Sequence, residues 1–137
     1  KQGWPVTIQT KSPLILRDLD LLTKSQRIDV VISITTANDM VRKVFEPHAP
    51  SIHHRLQALT TLHASRVSTS AMIAPLLPYS EELLPQLRDI VDFIIIDKMN
   101  YKNLNIPYLG YQLSDVCPIC HQQIETHDVH LHHVQEI

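Results

Sequence analysis

The residues best suited to chemistry fall in two places. Near the carboxyl end, Cys117 and Cys120 stand three positions apart, followed by His121, His127, His130, His132 and His133. Two thiolates with imidazoles close behind suit the tetrahedral nitrogen-and-sulfur coordination of zinc, and a metal site reads better than a disulfide. A reducing cytoplasm is the compartment that fits. Further forward, polar residues gather where apolar, β-rich runs end: Lys11, then Ser33 and Thr35, then Ala74-Pro75, then Asp97. The carboxyl ends of parallel strands are where α/β folds hold ligands. Lys11 offers an ammonium to a carboxylate or phosphate. Ser33 and Thr35 alternate along one strand and so share a face, where small hydroxyls suit an amino or carboxylate group. On pattern alone, capping of the following helices is the favoured account of the same residues.

The elements that must position these groups alternate regularly. Residues 6–10, 28–35, 67–74 and 91–96 read as strands, the second almost continuously apolar and β-branched, as strands buried on both faces are. Between them, Ser12-Pro13 opens a helix carrying Leu14, Ile15, Leu19 and Leu22, and residues 36–45 form a short helix. Ser51 caps a helix to about residue 64 with Leu56, Leu59 and Leu62 on one side. Ser80-Glu81-Glu82 opens a last helix, with Leu83, Leu84, Leu87 and Ile90 apolar. The order β-α-β-α(α)-β-α-β predicts an α/β fold with a parallel sheet and right-handed crossovers. Four strands do not close a barrel, so the sheet is either a small open one or a piece of a larger barrel. The pattern fades over residues 102–114, a linker, and 115–137 form a Cys/His-rich second module.

Composition narrows the function classes. The formal net charge is −2 over 137 residues, so no general electrostatic case exists for nucleic acid or an anionic membrane. No apolar run approaches the roughly 20 residues of a bilayer span, and no membrane association is expected. With only two glycines, no Gly-rich phosphate loop can be written. His53 and His54 point about 100° apart on a helix, do not converge as ligands, and read as exposed. Trp4 reads as a packing residue.

Four ordered segments carry a resemblance: TKSPLILRDLDLL (10–22), ISITT (32–36), FEPHAPSIHHRLQAL (45–59) and MIAPLLPY (72–79). Together they resemble the radical SAM proteins grouped with spore photoproduct lyase, over residues 6–101. The resemblance implies a partial (β/α)6 radical SAM barrel of parallel strands that binds S-adenosylmethionine beside a 4Fe–4S cluster. In that family the cofactor is cleaved to a radical that abstracts hydrogen from substrate. It further implies that Lys11 and Ser33 contact the methionine part of the cofactor and that Ala74 and Pro75, with Ile73, lie near its adenine. Thr35 and Asp97 are added from their strand-end positions. Glu46 and Arg55 belong to the matched motif and are expected to form a fold-stabilising ion pair. A nucleic-acid partner follows from the family alone; the substrate is not legible.

The sequence departs from that family at the cluster. The Cys-x-x-x-Cys-x-x-Cys ligands are absent, and two cysteines cannot replace three. The chain also begins at Lys1 rather than Met. An N-terminally truncated protein, inactive alone, is the expectation; a degenerate protein that kept the scaffold is the alternative. The tail is similar to the start of an HNH nuclease module, through Cys117, Cys120 and Leu131-His132-His133-Val134. That likeness implies zinc on the two cysteines, a catalytic metal on His132, and His133 as the general base. Three readings therefore stand: a radical SAM segment, an HNH-type metal-dependent endonuclease remnant, and a non-catalytic zinc-binding module.

Overall fold

The computed structural model describes residues 3–97; the candidate zinc and HNH residues Cys117, Cys120, His132 and His133 lie outside them. Within this span are four strands, β1 (Val6–Thr10), β2 (Ile28–Ser33), β3 (Ser68–Ile73) and β4 (Phe93–Ile96). The helices are α1 (Leu19–Leu22), α2 (Asp39–Phe45), α3 (Ile52–Ala64) and α4 (Leu84–Leu87), with 3-10 turns at Pro13–Asp18 and Glu81–Leu83. The sheet order is β1-β2-β3-β4 and every pair is parallel. The protein is thus mixed α/β with a four-stranded parallel sheet. No helix among the described residues is long and apolar enough to cross a membrane.

Sequential order has a geometric consequence. Each connection is a crossover to the next strand on the same side, so right-handed crossovers lay the intervening helices on one face. The core obeys this. Val30, Ile32 and Ile34, then Ala71 and Ile73, then Ile94 and Ile96 pack against Leu22, Ile52, Ala58, Leu59, Leu62, Leu83 and Leu87. α2 makes a smaller contact, Val41 and Phe45 with Leu77 and Tyr79.

Local chemistry sets the element ends. The Ser12 hydroxyl accepts from Leu14 N, with proline following it. Ser51 accepts from His54 N, and Asn38, not one of the preceding threonines, accepts from Met40 N and Val41 N. Three expectations change. Pro13–Asp18 is 3-10, whose threefold period rotates the apolar face, leaving Leu14 71% exposed while Leu16 joins the core margin. The last helix is short, a 3-10 turn leading into Leu84–Leu87, because Pro85 lacks an amide donor and is accommodated in a first turn. Ser80 makes no capping bond there. Trp4 is 73% exposed and not a core residue.

Candidate functional site at the carboxyl end of the sheet

The face opposite the helices is assembled by period-two alternation. The register sets Thr7, Asp29 and Ser68 in one row, Gln9, Val31, Ser70 and Phe93 in the next, and Ser33, Met72 and Ile95 in a third. None of Val31, Met72, Phe93 or Ile95 joins the core formed with the helices. Polar groups on this face hydrogen-bond to one another. Asp29 accepts from the hydroxyls of Ser68 (3.0 Å) and Ser70 (3.1 Å). The Gln9 amide donates to Ser33 Oγ (3.4 Å) and to Met72 Sδ (2.9 Å). A thioether is a weak acceptor and 3.4 Å is long for a hydrogen bond, so this amide and the Ser33 hydroxyl retain bonding capacity.

The carboxyl end of the sheet is organised by charge. Lys11 Nζ lies 2.7 Å from Glu46 Oε1, and Arg55 Nη2 lies 2.7 Å from Glu46 Oε2. Arg55, fully buried, also donates Nη1 to Ser33 O (2.9 Å) and Nε to Pro50 O (3.0 Å). The expected Glu46–Arg55 pair is present, and Lys11 extends it to a triad. Arg42, 5% exposed, donates to Glu46 O (3.2 Å) and Ala49 O (2.6 Å) and pairs with Asp39 at 2.7 Å. Two buried guanidiniums therefore pin the 46–50 turn from either side. Burial pushes the Glu46 carboxyl up, but the hydrogen bonds and charges of Lys11 and Arg55 outweigh it, leaving its pKa below the ordinary value. The Arg42 hydrogen bond likewise holds the Asp39 carboxyl low, against desolvation.

Of the residues expected to bind cofactor, Lys11 and Ser33 meet at this end, joined through Glu46 and Arg55. β2 ends at Ser33, so Thr35 lies just beyond it. Its side chain is fully buried and its Oγ1 has no hydrogen-bond partner among the described residues, a state shared with Ser80 Oγ. Its carbonyl accepts from Leu77 N (3.2 Å). Ala74 and Pro75 are half-buried after β3, and Asp97 accepts through its carbonyl from Leu76 N. Thr36, not singled out in sequence, ties the two strand ends together, donating to Pro78 O (2.6 Å) and accepting from Asn38 N.

Sequence reasoning missed Gln9, Asp29, Met72 and Arg42. A usable signal existed for Gln9, which lies two residues before Lys11, and for Asp29, which interrupts an apolar strand; Met72 faces Ser33 only through the register of β2 and β3. Nothing local marks Arg42.

No family model matches the chain, and no solved structure matches it. Over 100 residues it is 32% identical to an uncharacterized protein of Methanocaldococcus jannaschii, covering 71% of this chain and 39% of that one. It is 27% identical over 119 residues to an uncharacterized protein of Acidianus two-tailed virus, covering 78% and 40%. An uncharacterized protein of Mycobacterium tuberculosis is 31% identical over 91 residues, covering 62% and 27%. The chain therefore spans about two fifths or less of the length of these relatives.

Proposed function

We propose that this chain is a cofactor-gripping segment of a radical SAM barrel of the spore photoproduct lyase type, holding the amino-acid end of S-adenosylmethionine at the carboxyl end of its sheet. The observation that carries the reading is the singly wound, sequential parallel sheet. Its helix-free face carries Thr7, Gln9, Asp29, Ser33, Ser68 and Ser70 beside Val31, Met72, Phe93 and Ile95, and just past its strand ends lie Lys11 and Thr35, whose hydroxyl has no partner among the described residues. A sheet that never reverses order has the build of a barrel wall, with the helix-free face turned inward.

The residues fit the organic cofactor better than the cluster. An ammonium, two under-used hydroxyls and an amide suit a carboxylate and an amino group. The cluster does not fit: the described residues hold no cysteine, and the sequence has two where three thiolates are needed. No chemical step is assigned to these residues. Their part is to bind and orient.

Titration of the 137-residue chain with S-adenosylhomocysteine tests the reading. Saturable one-to-one binding is expected, weakened roughly tenfold or more in Lys11→Ala, the loss typical of one charge-assisted hydrogen bond. Absence of binding, or binding indifferent to both Lys11→Ala and Ser33→Ala, overturns it.

A further inference from the structure

We infer that Glu46 and Arg55 are positioning residues that present the Lys11 ammonium to a ligand carboxylate, beyond their service to the fold. The inference rests on the cofactor reading above and names how that grip is built.

Glu46 divides its two oxygens between two cations. An arginine and a carboxylate left to themselves favour a two-pronged pair, both oxygens on one guanidinium. Here Arg55 takes only Oε2 and Lys11 takes Oε1, each at 2.7 Å. The remaining guanidinium donors go to the Ser33 and Pro50 carbonyls. A carboxylate needed only to neutralise buried Arg55 has no reason to reach outward to a lysine. The Lys11 side chain is 45% exposed, against 0% for Arg55 and 9% for Glu46. An exposed lysine pair contributes little to stability and costs side-chain freedom.

That cost has a use if the ammonium must stand in one place. The planar fork of Arg55 fixes Glu46, and Arg42 fixes the backbone of the same turn through Glu46 O and Ala49 O. Glu46 in turn fixes Lys11 while engaging one of its three donors. The end of the chain of contacts is a half-exposed cation tied to the carbonyl of Ser33. Two cations and one anion leave the triad with a net charge of +1, complementary to a carboxylate.

The test compares two ligands on the full chain. S-adenosylhomocysteine carries the amino-acid carboxylate, and 5′-methylthioadenosine shares the adenosine and thioether but lacks it. In Glu46→Gln and Glu46→Asp, S-adenosylhomocysteine affinity is expected to fall about tenfold while methylthioadenosine affinity is unchanged. Glu46→Asp retains the charge that compensates Arg55 but is one methylene too short to hold both cations, so it separates positioning from folding. Lys11→Ala combined with Glu46→Asp should be no worse than Lys11→Ala alone. Equal losses for both ligands, or no loss for either, overturn the inference while leaving the cofactor reading intact. If the unaltered chain binds neither ligand, the cofactor reading fails and takes this inference with it.

Discussion

The two faces of the sheet are built from the same strands by opposite rules. The helix-side residues of β2 and β3 are Val30, Ile32, Ala71 and Ile73, apolar and fully buried, with buried Thr69 the polar exception. One position along each strand, the other face offers Asp29, Ser33, Ser68 and Ser70, bonded largely to one another. Burial on the first face is stabilised by area removed from water, roughly 25 cal/mol per Å2. Polar groups on the second gain little from burial and need partners. That face also carries Val31, Met72, Phe93 and Ile95, so it is mixed where the helix side is almost wholly apolar.

The largest expected effect breaks the separation between site and core. Arg55→Met leaves Glu46 Oε2 and the Ser33 and Pro50 carbonyls without their donor, and breaking a buried pair in this way costs about 3–5 kcal/mol. Urea unfolding measures it, and a loss under about 1 kcal/mol would show that the triad is peripheral to stability. Next, Ile32→Ala on the helix side should cost about 2–5 kcal/mol. Gln9→Ala on the open face should stay within about 0.5 kcal/mol. Similar losses at the two positions would erase the contrast between the faces.

The triad also sets an acid limit. The folded pKa of Glu46 lies below its unfolded value, so its contribution to stability is fully present above the unfolded range. It is lost as pH falls below the ordinary glutamate range and through the lower folded value. Unfolding free energy followed from pH 6 to pH 3 should decline, and Glu46→Gln should flatten that slope. An unchanged slope would assign the acid sensitivity elsewhere, Asp39 being the next carboxylate held low. A modest effect is expected at a cap: Ser51→Ala should cost about 1 kcal/mol and leave ligand binding untouched, since its hydroxyl serves only the first turn of α3.

Much of this architecture was legible in the sequence because it depends on local rules. The alternation of β-branched runs with capped apolar stretches located all four strands. Ser12 and Ser51 marked their helices because a hydroxyl before a first turn meets amides that nothing else satisfies. The Glu46–Arg55 pair followed from the matched motif. Less was legible where backbone geometry departs from the regular period: a 3-10 turn moved Leu14 outward, and Pro85 shortened the last helix. Ser80, read as opening a helix, is buried with its hydroxyl unpartnered among the described residues.

Sequence by itself determined which segments are strands and helices and that the strands run parallel, since hydrophobic period and connection length are properties of adjacent residues. Tertiary structure alone decided that Lys11, Glu46 and Arg55 share one carboxylate, that Arg42 braces the turn between them, and that Gln9, Ser33 and Met72 meet across three strands. Those contacts depend on strand order, register and the direction in which a buried guanidinium points, and none of these is encoded at any one position of the chain.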